Sequence, residues 1–129
     1  METLIWIGLG GFFGAMARYG VSLWASTGQK DSFPWGTFLV NVGGCLLIGF
    51  LMHMVEVSRS LNATHKLVLV TGFLGSLTTF STFGYETLAL LKQGNHLAWM
   101  SNVTANLVLG LAAVWVGQWL AGQLPPHGP

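Results

Sequence analysis

The chain is 129 residues long, with 52% hydrophobic residues, 7% charged residues and a formal net charge of +1. This composition excludes a water-soluble domain of ordinary make-up and predicts an integral membrane protein. Four apolar stretches, residues 4–24, 35–55, 67–91 and 97–120, are each long enough to cross a hydrocarbon core of about 30 Å, which takes about 20 helical residues.

The expected fold is an all-α membrane protein with one transmembrane domain over residues 1–129. The first stretch has no basic flank and no small-residue cleavage site, so it is expected to be a retained span, with both termini on one side. Within it Gly10, Gly14 and Arg18 recur every four residues, with Gly11 and Ala15 alongside. One helix face is therefore smooth and ends in a guanidinium. A charge facing lipid costs at least a few kcal/mol, so Arg18 is expected to face the protein interior, a water-filled vestibule or, by snorkelling, the interface. Two roles stay open for it: a clamp on backbone carbonyls, or an attractor of anions.

Residues 25–34 have the Ser, Gly and Pro content of a surface loop. Trp35 then opens the second stretch as an interface aromatic, and the strongly polar residue inside it is Asn41. An asparagine in a span either hydrogen-bonds a neighbouring helix or presents its two N–H donors to an anion. Cys45, in the same stretch, counts as a small apolar residue.

Loop charge chooses no orientation. Arg59 and Lys66 on one side are matched by Lys30 and Lys92 on the other, a tie under the positive-inside rule. A small protein with few charges gives such a tie, and so does a chain that inserts both ways and pairs as an antiparallel dual-topology homodimer. Four short-looped helices also have difficulty enclosing a polar pathway without a partner.

The third stretch is longer than one straight crossing requires. Gly72, Gly75 and Gly84 bracket Thr78, Thr79, Ser81 and Thr82. Their hydroxyls compete for backbone groups, and threonine branching lowers helix propensity. The expectation is a break in the third helix, with a kinked but continuous packing helix as the alternative. Irregular backbone at membrane depth survives only where it is buried in protein or lines a cavity. Unwound carbonyls there suit a cation, and the N–H groups of a half-helix suit an anion. The positive ring edges of Phe80 and Phe83 add weak anion donors beside the hydroxyls of Ser81 and Thr82.

In the fourth stretch Asn102, Asn106 and Gly110 fall at helical spacing and make a polar stripe. The stripe reads as helix packing or, with Asn41 and the hydroxyls of the third stretch, as the lining of a path. His53, His65 and His96 are not spaced like a metal cluster and are expected to be structural or solvated. The tail at 125–129 adds nothing to the expected fold.

Three ordered motifs, "GGFFGAMARY" at 10–19, "GTFLVNVGG" at 36–44 and "GFLGSLTTFSTFGYE" at 72–86, together resemble the Fluc (CrcB) fluoride channel family. The resemblance covers three of the four stretches and extends to the chain length. It implies a passive, fluoride-selective channel in a bacterial inner membrane that relieves fluoride toxicity, with no catalytic residue. It also implies an antiparallel dual-topology homodimer with two fluoride pathways. A structural sodium ion (Na+) at the dimer centre would be held by main-chain carbonyls, at positions matching Gly75 and Thr78. The pore phenylalanines match Phe80 and Phe83, the second-helix asparagine Asn41, the polar track Ser81 and Thr82, and the first-helix arginine Arg18. Glu86 follows one turn later, where an ionised carboxylate would repel fluoride. Asn102 and Asn106 are placed on the path by their spacing alone, and no nucleic-acid partner is expected.

Two rival readings are kept. A small proton-coupled, dual-topology multidrug-type exporter shares the size and span number, but resembles a pump built around a carboxylate deep in its first span. Here that span has only Glu2, at its edge. A non-transporting scaffold assembled by its glycines leaves Arg18 and the hydroxyl-rich third stretch unexplained.

Overall fold

The computed structural model describes residues 1–26, 33–56 and 61–124, and the regular elements among them are all helical. Lys30, Arg59 and the tail at 125–129 lie outside the described residues. Helix α1 runs Glu2–Ser26 and α2 runs Trp35–Glu56. A third crossing, Ala63–Lys92, is assembled from α3 (Ala63–Lys66), a π-helix (Leu67–Leu74), α4 (Gly75–Leu77) and α5 (Phe80–Lys92). The fourth is α6, His96–Gly122. All four crossings are long and apolar enough to span a bilayer. Helices suit that solvent because every backbone N–H and C=O must find its partner within the protein.

Polar caps set where the third crossing begins and ends. The Asn62 side chain accepts from the His65 N–H, while His65 Nδ1 accepts from the Asn62 N–H. This reciprocal cap starts the helix at Ala63, ahead of the apolar run that begins at 67. At the far end Gly94 takes φ 73°, a left-handed conformation that stops α5. Asn95 then caps α6 by accepting from the Ala98 N–H. Near the start of α2, Phe33, Trp35 and Phe38 form a ring cluster with centroids 4.7 to 5.8 Å apart, an aromatic group suited to the headgroup level.

Two helix pairs make backbone contact at more than one glycine, and Gly36 of α2 adds a single close approach to Ser22 of α1. A side-chain carbon at Gly10 would overlap the Val68 carbonyl and one at Gly14 the Phe73 carbonyl, so α1 lies directly on the π-helix. In the same way Gly49 of α2 meets the backbone at Val114, and Gly117 of α6 meets it at Leu46. Lipid tails are as apolar as leucine, so helices in a bilayer associate through such close packing and polar contacts rather than through a hydrophobic drive. Between the pairs, buried Val40, Leu74 and Leu77 form a small core. Outside it many large apolar side chains are exposed, among them Phe12, Tyr19, Phe80, Tyr85 and Trp115. In water such surface would be a liability; in a bilayer it faces acyl chains or another protein.

Candidate ion site around Thr78 and Thr79

Helical backbone stops between α4 and α5. Thr78 has φ −80° and ψ 154°, and Thr79 has φ −151° and ψ 112°, both extended. In an uninterrupted α-helix the Thr79 N–H would bond the Gly75 carbonyl and the Thr82 N–H the Thr78 carbonyl. Here Thr79 N–H donates to Asn41 Oδ1 at 2.8 Å, and Thr82 N–H donates to Thr79 Oγ1 at 3.2 Å. The carbonyls of Gly75 and Thr78 therefore lose their helical donors, which is the chemistry that main-chain cation ligands need. The described residues contain no cluster of three or more His, Cys, Asp or Glu side chains that could hold a metal. Main-chain oxygens are the candidate ligands that this region offers.

Thr79 also organises the start of α5. Its hydroxyl caps the helix, donates to Thr82 Oγ1 at 2.9 Å and lies 3.3 Å from Ser81 Oγ. Because Thr82 Oγ1 is the acceptor in that bond, its own proton remains available to another acceptor. One turn of α5 brings the Phe80 and Phe83 rings to a centroid distance of 5.6 Å at 45°. Phe80 is 81% exposed, so almost nothing within the chain packs on it.

Part of the candidate set divides between two clefts. Asn41, Gly75, Thr78, Thr79 and Phe80, with Cys45, line one of about 310 Å³. Thr82 and Glu86 line another of about 530 Å³, together with Tyr19, Ser22 and Thr37. Thr37 is a side-chain hydrogen-bond partner of Glu86, whose Oε2 is buried without a partner among the described residues. Arg18, half-buried on α1, lines neither cleft, and nor do Ser81 and Phe83. A single chain thus gathers only part of the expected set at each place.

Asn41, Asn102 and Asn106 turn out to belong to one hydrogen-bonded chain. Asn41 Nδ2 donates to the Thr79 carbonyl at 3.3 Å and to Asn106 Oδ1 at 3.2 Å. Asn106 Nδ2 donates to both the carbonyl and Oδ1 of Asn102, each at 2.9 Å. Asn102 Nδ2 donates to Thr87 Oγ1 at 2.8 Å, and Thr87 Oγ1 donates to the Phe83 carbonyl at 2.7 Å. Asn102 is 0% exposed and so sits in the wall between helices, not in either cleft. Thr87 carries no distinguishing pattern in the sequence. A threonine bonding the carbonyl four residues back is commonplace in helices, and nothing in its spacing marks this one.

Apolar crossings, an interrupted backbone ladder within the third of them and donors on α5 define the class: a multi-pass membrane protein with a candidate ion site built from backbone and neutral side chains. Residues 5–118 match the family described as CrcB-like protein, Camphor Resistance (CrcB). A protein of Dehalococcoides mccartyi named fluoride-specific ion channel FluC is 44% identical over 124 residues, 96% of this chain and 95% of the relative. A relative of the same name from Chloroflexus aurantiacus is 42% identical over 126 residues, covering 95% and 100%. A third, from Clostridium perfringens, is 45% identical over 115 residues, covering 89% and 90%. The chain belongs to the CrcB family and is a multi-pass membrane protein.

Proposed function

We propose that this chain is a passive, fluoride-selective ion channel that lets fluoride leave the cell, and not an enzyme. The observation that carries this is its identity of 44% over 96% of its length to a relative named as a fluoride-specific ion channel. The exporter alternative finds no support among these relatives, which are named as channels. An inside-negative potential of 100 mV favours anion exit by about 2.3 kcal/mol per charge, so no coupling machinery is required.

The functional unit we propose is an antiparallel, dual-topology homodimer in a bacterial inner membrane. Its support is the exposed face that carries Gly75 and Phe80, together with the division of part of the candidate set between two clefts. A second copy related by a two-fold axis would cover that face and complete each path. The carbonyls of Gly75 and Thr78, freed from the helical ladder, would hold Na+ at the centre, and that ion would supply fixed positive charge there. Fluoride would shed water onto the hydroxyls of Ser81 and Thr82 and the ring edges of Phe80 and Phe83. Such donors are strong enough to replace hydration and weak enough to release the ion. Asn41 borders this path. Glu86, opening on the larger cleft beside Thr82, and Arg18 belong in this reading to the vestibule, where an ionised carboxylate is not a fluoride ligand.

Fluoride efflux from liposomes containing the purified protein, read with a fluoride electrode beside chloride controls, tests the function. Selective fluoride flux is expected; no flux, or equal chloride flux, would sink it. Phe80→Ile should slow that flux with the dimer intact, because isoleucine keeps an apolar side chain on the face that the second copy covers while removing the ring edge. Wild-type flux in the variant would remove the ring-edge argument.

A further inference from the structure

We propose that Asn106, Asn102 and Thr87 are positioning residues for the ion site, acting through Asn41 on the extended backbone at Thr79. The functional consequence rests on the fluoride-channel reading; the structural one does not.

At Thr79 both backbone groups are taken by one carboxamide. Asn41 Oδ1 accepts the Thr79 N–H, and Asn41 Nδ2 donates to the Thr79 carbonyl. A carboxamide is a two-fold rotor, and turned over it would set its NH2 against the Thr79 N–H and its oxygen against the carbonyl. What favours the productive face beyond Thr79 itself is Asn106 Oδ1, which accepts the second amide proton.

Asn106 is a rotor of the same kind, and its direction is set in turn. Its NH2 has two oxygens of Asn102 as acceptors, and a flipped Asn106 would press oxygen on oxygen. Asn102 is oriented by Thr87 Oγ1, whose proton is committed to the Phe83 carbonyl. Apart from the Asn41 bond back to the Thr79 carbonyl, the donors point one way along the chain, which begins and ends on backbone of the third crossing, at Thr79 and Phe83. In passing it ties α2 and α6 to α5.

Burial makes the chain act as a unit. Asn102 has no exposed surface, and Asn41, Asn106 and Thr87 are half-buried. In such surroundings an orphaned donor is costly, so a gap at one link is felt at the next. By holding the Thr79 N–H, Asn41 supports the extended backbone that keeps this donor from the Gly75 carbonyl. Asn102 and Asn106 thus act as wall that fixes a ligand geometry, not as path that touches the ion. If they were only glue between helices, their loss would lower stability evenly and leave Thr79 no worse than its neighbours.

The test pairs a transport cycle with a local probe. Asn106→Ala should slow fluoride flux about three- to tenfold, the range expected for a lost hydrogen bond in a membrane protein. Combined with Asn41→Ala it should be no slower than Asn41→Ala alone, because it acts through that residue. Multiplied effects would give Asn106 its own contact with the ion and overturn the proposal. Hydrogen exchange supplies the second arm: the Thr79 amide should exchange at least about tenfold faster in Asn106→Ala, with the amides of α1 unchanged. The near-isosteric Thr87→Val, which keeps the packing, should move it in the same direction by less. An unchanged Thr79 rate, or even acceleration across all four crossings, overturns the positioning role. Lack of wild-type flux would remove the fluoride reading alone, since the exchange arm does not depend on transport.

Discussion

The two halves of the third crossing, before and after Thr78 and Thr79, are held to the rest of the molecule by different means. The π-helix rests backbone to backbone on α1, at Gly10, Gly14 and Gly72, where no side chain fits between. Beyond the extended pair, α5 is tied to α2 and α6 by side-chain hydrogen bonds running through Asn41, Asn106, Asn102 and Thr87. A backbone contact has no rotors and yields a fixed floor. A side-chain chain keeps the helices far enough apart to leave clefts, but each rotor in it must be held by the next. The proposed ion chemistry falls at the junction, where the floor ends and the freed carbonyls begin.

The floor is the most sensitive place. Gly14→Leu drives a side chain into the Phe73 carbonyl, where the neighbour is backbone and cannot turn aside. Overpacking of this kind costs typically about 1–3 kcal/mol and more where nothing can yield, so loss of the folded protein on size-exclusion chromatography is expected. A well-folded Gly14→Leu protein would show that α1 and the π-helix can part.

Next in size is Asn41→Leu. It leaves the Thr79 N–H and carbonyl unpaired in a part-buried site, at about 1–3 kcal/mol for each group. Fluoride flux should fall at least about tenfold while the protein still elutes as a folded species, because the glycine contacts are untouched. Flux within twofold of wild type would separate the Asn41 clasp from conduction. Thr79→Ala is expected to be milder. It removes the α5 cap, which accepts the Thr82 N–H, and caps are worth about 1 kcal/mol. A small drop in thermal stability is the expected readout, and a drop as large as that of Asn41→Leu would place the hydroxyl, not the carboxamide, at the centre of the junction.

Much of the fold was legible because lipid as a solvent imposes a simple demand: long apolar runs must be helices. The ends were less so. The crossing that starts at Ala63 does so because Asn62 and His65 cap each other, and that pairing lies outside the apolar run. Residues 67–74 read like any apolar helix, since π and α ladders draw on the same side chains and differ only in which carbonyl each N–H reaches. In the site, the residue types at Thr78 to Phe83 drew attention for their hydroxyls and rings. The stripe of Asn102 and Asn106 followed from spacing along one helix. What that stripe faces is a tertiary fact: Asn41 is 65 residues from Asn106, and their bond has no counterpart in local pattern. In sequence, Asn41 fits either glue or donor, and in the folded chain both its amide protons are engaged.

The smallest effect sharpens the contrast most, because it makes a similar insertion at another glycine. Gly84 lies on α5, beyond the junction, and a side-chain carbon there would meet nothing within 4 Å in the chain. Alanine in a helix interior is favoured over glycine by about 1 kcal/mol. Gly84→Ala should therefore raise the melting temperature by a few degrees and leave flux unchanged, the opposite sign to Gly14→Leu. A fall in melting temperature together with loss of the dimer would mean that a second copy covers this face as closely as the π-helix covers α1. The α5 side of the crossing would then be a packed floor as well, completed only in the assembly.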